Sequence, residues 1–129
     1  KWPNDVRVNG RKISGILIET SMDARKVDHT VVGIGLNVNL DPSAYPEIAD
    51  TATSLLRETG RRMDRTLVLT LLLERFGDLF GDVSSGRSLT AEWSAQLDTL
   101  GREVKIRWGE QVLEGRTSLP AAALGVDGL

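Results

Sequence analysis

In the first forty residues the hydrophobic positions fall in short β-branched runs and then in strict alternation, the period of a strand whose successive side chains point to opposite faces. Val6 and Val8 precede Asn9-Gly10, and Ile13, Ile16, Leu17 and Ile18 follow it. Asn-Gly supplies the two positive-φ positions of a type I′ turn, so residues 5–19 are expected to form a hairpin. Residues 20–29 are polar and are expected to form a loop with His29 exposed in it. Over residues 30–40, Val32, Ile34, Leu36, Val38 and Leu40 fall on one face, expected to be core. Gly33, Gly35, Asn37 and Asn39 fall on the other.

After a loop over 41–50 containing Pro42 and Pro46, the pattern becomes helical. A short helix is expected within 51–59, closed by Gly60, and a longer one from its cap Asp64 to about Phe80. Leu67, Leu71, Phe76 and Leu79, flanked by Val68, Leu72 and Leu73, make a wide stripe suited to packing on a sheet. A Gly/Ser connector over 81–88 leads to a third helix over 89–99 that carries Trp93. Beyond Gly101 the period of two returns at Val104, Ile106 and Trp108, turns at Gly109-Glu110 and resumes at Val112 and Glu114. These elements predict an α+β fold: a mixed or antiparallel sheet with helices on one face over residues 1–101, then an incomplete β unit over 102–129.

The 129 residues, 40% apolar and 26% charged, have the composition of a globular domain, and a buried core is expected of that length. Absence of cysteine excludes disulfide scaffolds, thiol nucleophiles and thiolate metal sites. The single histidine argues against a multi-histidine zinc centre, and no His/Asp/Glu cluster has metal-ligand spacing, so no resident metal is expected. With no apolar run near the roughly 20 residues of a membrane span and no signal segment, a cytoplasmic protein is expected. A net charge of −2 gives no reason to expect nucleic acid, yet residues 1–40 carry six Lys/Arg against four Asp/Glu. Any bound anion belongs first at that cationic front. The chain opens on Lys1 without an initiator methionine and stops after a Val126-Asp127-Gly128 turn, so it is expected to be an internal piece of a longer protein.

Gly33-Ile34-Gly35 is not a dinucleotide fingerprint, because those glycines sit inside a strand rather than at a strand-to-helix turn. Two glycines on one strand face either make room for a packed helix or let a ligand reach the backbone, and the pattern supports both. Lys12 follows a turn, where lysines are ordinarily solvated. With Arg11 beside it and Gly15 three residues on, its ammonium also suits a carboxylate or phosphate. Asn4 and Asp5 follow Trp2-Pro3 and suit either a capped turn or a contact to a ligand ribose or metal.

Lys1-Trp2-Pro3-Asn4-Asp5, then Gly10-Arg11-Lys12-Ile13-Ser14-Gly15-Ile16-Leu17-Ile18-Glu19, then Val32-Gly33-Ile34-Gly35-Leu36-Asn37-Val38, closely resemble in order and spacing the second half of the catalytic domain of biotin protein ligases. The likeness continues through Ala52-Thr53-Ser54-Leu55-Leu56 and Trp93, and residues 102–114 resemble the first strands of the family's SH3-like C-terminal domain. The stretch 116–129, with Leu119-Pro120-Ala121-Ala122-Ala123, departs from it. The resemblance implies a class II synthetase-like catalytic fold and an enzyme that activates biotin with ATP and Mg²⁺ to biotinyl-5′-AMP. That enzyme then passes the biotinyl group to a lysine of a biotin carboxyl carrier domain. It implies a catalytic, substrate-binding role for Lys12, a biotin-pocket wall of Gly15, Ile16, Leu17 and Gly33, and a nucleotide side with Lys1, Asn4, Gly35 and Asn37. The family's Gly/Arg-rich adenylate loop would lie upstream of Lys1, so this chain is expected to be inactive by itself. A lipoate or octanoyl transferase and a non-catalytic binding fragment are the alternatives. The resemblance allows a homodimer, and DNA becomes a partner only where a helix-turn-helix domain precedes the catalytic one.

Overall fold

The computed structural model describes residues 4–24 and 26–118. Lys1, Trp2, Pro3 and the departing stretch from Leu119 onward therefore lie outside the described residues. Two compact units divide the chain between Leu72 and Leu73.

The first unit opens with a three-stranded antiparallel sheet of β1 (Asp5–Val8), β2 (Arg11–Asp23) and β3 (Lys26–Leu36), in that spatial order. Asn9 and Gly10 stand at φ 49° and 77°, the left-handed pair that a type I′ turn requires, and Val8 closes the turn against Arg11. Pairing then slips at Val6/Arg7: Asp5 faces Gly15 and Arg7 faces Lys12, leaving Ile13 as one extra residue in β2. Side chains that would alternate instead stack on one side, and both Ile13 and Ser14 are buried.

The loop expected over 20–29 is corrected to strand at residues 20–23 and 26–29. β2 and β3 pair down to Asp23 and Lys26, with Thr20 opposite Thr30 and Ser21 opposite His29. A ribbon with solvent on both sides carries no hydrophobic alternation, so composition there looked like a loop. The strand expected to reach Leu40 ends instead at Leu36. Asn37 gives its N–H to the Ile13 carbonyl, and the carbonyls of Asn37 and Val38 accept from the first amides of a helix, Leu55 and Leu56. Those amides have no partner within their own helix, and meeting them draws the chain out of the sheet.

A 3₁₀ turn, Pro42–Ala44, precedes α1 (Leu55–Thr59) and α2 (Arg65–Ser84). Ser54 caps α1: its Oγ accepts from the Arg57 amide at 3.1 Å and donates to the Leu40 carbonyl at 2.6 Å. Gly60 ends α1 at φ 70°, and the Asp64 carboxylate accepts from the Thr66 amide to start α2. Ser54 is fully buried, so Ser54→Ala orphans an amide and a carbonyl together. It is expected to cost about 1–3 kcal/mol in urea unfolding, and a loss within ~0.5 kcal/mol would show that the cap is dispensable.

The expected core face of β3 is corrected as well. Val32 and Ile34 are 40% and 38% exposed, and among the described residues Ile13, Ala52 and Pro42 are the buried apolar ones. The buried kernel of the first unit is where the start of β2 meets residues 52–54, with Thr53 and Ser54 at 0% exposure. A three-stranded sheet has two faces to cover, and covering both takes more layers than the first unit supplies. The stripe on α2 is likewise uncovered, with Leu67, Leu71 and Phe76 all exposed.

In the second unit, Arg87 pairs with Asp82 and Glu92, joining the end of α2 to α3 (Thr90–Ala95). β4 (Glu103–Trp108) and β5 (Gln111–Arg116) form a separate antiparallel pair, and Lys105 and Glu114 bridge across it at 2.6 Å. The fold is α+β, with both sheets antiparallel. No helix among the described residues is long and apolar enough to cross a membrane.

Candidate functional site

Opposite the buried kernel, the sheet carries an open hollow of about 450 Å³ lined by Asn4, Gly15, Ile16, Leu17, Gly33, Ile34 and Gly35. The register builds it: Gly15 pairs with Gly35 and Leu17 with Gly33, so three glycines and one leucine share a face across two strands. A Cβ on Gly33 would lie 3.8 Å from the Leu17 carbonyl, and one on Gly35 3.9 Å from the Gly15 carbonyl, both ordinary contacts with the neighbouring strand. Among the described residues no helix occupies that space. The missing side chains leave backbone open on that face.

Gly15 differs from the other two. A Cβ there would stand 3.2 Å from the Lys12 Nζ and 3.3 Å from its Cε, so the lysine lies across the spot a side chain would fill. Without the extra residue at Ile13, Lys12 and Gly15 would point to opposite faces. The bulge brings the ammonium onto the glycine face.

There the ammonium meets the Asp5 carboxylate at 2.6 Å, with the lysine side chain 47% exposed. Half-exposed ion pairs of this kind contribute only about 0–1 kcal/mol, so a ligand anion can share or replace Asp5 at small cost. The lysine backbone is held far more firmly. Its N–H donates to the Thr51 carbonyl and its C=O accepts from the Thr53 amide, both at 2.8 Å, in a short parallel rung with Ala52.

Of the residues singled out from sequence, Asn4, Gly15, Ile16, Leu17, Gly33 and Gly35 thus line one hollow, and Lys12 reaches its rim over Gly15. Asn37 stands apart: its Nδ2 donates to the Thr53 carbonyl at 3.0 Å. It lines a second groove of about 530 Å³ with Asn39, Asp41, Tyr45 and Arg65. Lys1 lies outside the described residues. Sequence reading missed Asp5 as the lysine's partner, although a two-residue turn places residues 5 and 12 diagonally on one face, which is a usable signal. It also missed the Thr51–Thr53 rung, for which no local signal exists.

Among the described residues no group of three or more His, Cys, Asp or Glu side chains could hold a metal ion.

The sequence model of the biotin/lipoate A/B protein ligase family matches residues 1–37. A bifunctional ligase/repressor of Bacillus subtilis is 32% identical over 98% of this chain and 38% of its own length. A biotin–[acetyl-CoA-carboxylase] ligase of Paracoccus denitrificans is 37% identical over 78% of this chain and 37% of its own length. The biotin protein ligase of Aquifex aeolicus in complex with biotin and ATP superposes with a TM-score of 0.70 at 35% identity, over 89% of this chain and 47% of that one. The chain thus spans well under two thirds of the relatives it matches.

Proposed function

This chain is related to the biotin protein ligases, and from that premise we propose that it supplies the cationic rim and the floor of a site that activates biotin with ATP and transfers it to a carrier lysine. The observation that carries the proposal is the Lys12 ammonium lying over Gly15 at the edge of a side-chain-free hollow. In the first step a carboxylate oxygen of biotin attacks the α-phosphorus of ATP. The bond from that phosphorus to the bridging oxygen breaks, and pyrophosphate leaves with the electron pair. Two anions must approach for this, and charge grows on the α-phosphoryl oxygens. A cation fixed at the meeting point stabilises that arrangement more than the separated reactants.

In the second step the amine of a carrier-domain lysine attacks the acyl carbon, AMP departs and an amide forms with loss of one proton. Gly15, Ile16, Leu17 and Gly33 would receive the apolar body of biotin against bare backbone, while Asn4, Gly35 and Asn37 would face the nucleotide. Mg²⁺ would enter as the counter-ion of ATP, held by phosphate oxygens.

The matching family model covers lipoate as well as biotin enzymes, which keeps a lipoyl substrate as the second reading. The deciding experiment follows pyrophosphate release by the full-length protein with ATP and either biotin or lipoate. Release dependent on biotin and indifferent to lipoate is expected. Release with lipoate alone would overturn the biotin assignment, and release with neither would overturn the enzyme reading.

A further inference from the structure

Half-buried Glu58 on α1 stands forty-six residues from Lys12, yet its carboxylate holds the chain on both sides of that lysine. One oxygen accepts from the Thr53 hydroxyl at 2.5 Å, and the other accepts from the Asn9 carboxamide at 2.7 Å. Thr53 is the fully buried residue whose amide bonds the Lys12 carbonyl. Asn9 is the first residue of the turn that leads into Lys12. A single carboxylate therefore ties the turn ahead of the lysine to the rung beside it.

This matters because of the bulge at Ile13. An extra residue is what puts Lys12 on the glycine face, and a slip of one residue would turn the ammonium away from the hollow. Backbone pairing next to a bulge is locally disrupted. Fixing the turn against the rung adds a side-chain constraint across that disruption. The Thr53 hydroxyl and, against the opposing pull of desolvation, the Asn9 carboxamide with Arg11 and Arg57 nearby hold the Glu58 carboxyl below the usual carboxylate range. It thus remains an acceptor for both bonds at neutral pH.

We propose that Glu58 is a positioning residue for the ligase reaction, locking the bulged register that keeps the Lys12 ammonium over Gly15. The proposal rests on the reading of Lys12 as the electrostatic catalyst. It goes beyond that reading by placing a determinant of the rate on α1, outside the hollow.

The test is a double-mutant cycle on biotin-dependent pyrophosphate release by the full-length protein. Glu58→Gln keeps the size of the side chain and removes its charge, and it is expected to lower kcat about tenfold beside native Lys12. In a Lys12→Ala background the same change is expected to cost less than about twofold, since there is no ammonium left to place. Asn9→Gly suits the left-handed turn and deletes only the bond to Glu58, so it should follow the same pattern with a smaller loss. Asn9→Gly also decides the matter where Glu58→Gln does not fold. Equal losses in both backgrounds would make Glu58 merely structural and overturn the inference, as would no loss beside native Lys12. Should Lys12→Ala itself leave the rate unchanged, the catalytic reading of the lysine falls and this inference falls with it. A slow Lys12→Ala enzyme with an indifferent Glu58 sinks the inference alone.

Discussion

Lys12→Ala in the full-length protein is expected to slow biotin-dependent pyrophosphate release by more than about tenfold while the fold survives; removal of one preorganised electrostatic group at a developing oxyanion commonly costs 10²–10³. On the catalytic side, the ammonium reaches the rim of the hollow from over Gly15, where the proposed function would bring the carboxylate and the α-phosphate together. Every tenfold in rate corresponds to about 1.4 kcal/mol of lost transition-state stabilisation, an ordinary amount for one fixed charge in a ligand-filled site. On the structural side, the side chain is 47% exposed and its ion pair with Asp5 is the surface kind worth at most about 1 kcal/mol. Alanine keeps the backbone bonds to Thr51 and Thr53. A large rate loss with an unshifted unfolding midpoint would therefore separate chemistry from folding. An unchanged rate would remove the lysine from the mechanism.

Gly15→Val is expected to be at least as damaging to the rate and, in addition, to raise the KM for biotin by about tenfold or more, since it fills the floor of the hollow with a branched side chain. The first atom of that side chain would stand 3.2 Å from the Lys12 Nζ. What it meets is the free end of a flexible lysine, so the lysine yields and the sheet stays intact. Valine also suits an extended strand backbone. Gly33→Ala is the informative contrast, because its Cβ enters the same hollow at 3.8 Å from its nearest neighbour and clear of the lysine. It should weaken biotin binding while affecting kcat much less. Native biotin affinity in Gly15→Val, measured by calorimetry, would show that the hollow is not the biotin site.

Several features were legible locally. The turn at Asn9-Gly10 and the ends of α1 and α2 at Ser54, Gly60 and Asp64 are places where a particular residue type satisfies a backbone demand. The glycine stripe was legible because alternation is a local property of a strand. Residues 20–29 failed because a solvated ribbon needs no apolar side chains, so its strands are sustained by cross-strand pairing that composition does not display. The hydrophobic faces of β3 and α2 were readable as apolar, but whether an apolar face is buried depends on the layer set against it.

By itself, then, the amino-acid order determined the turn, the helix caps, the bare stripe of Gly33 and Gly35 and the presence of a lysine two residues beyond the turn. Each of these follows from φ/ψ demands or side-chain period within a few residues. Only the tertiary structure decided which face that lysine serves. Face assignment depends on parity, and one extra residue at Ile13 reverses it. The bulge is defined by how β1 pairs with β2, and the backbone of the lysine is held by Thr51 and Thr53, some forty residues away along the chain. Nothing within a window around Lys12 encodes those partners, because they become neighbours only when the start of β2 and the approach to α1 are packed together.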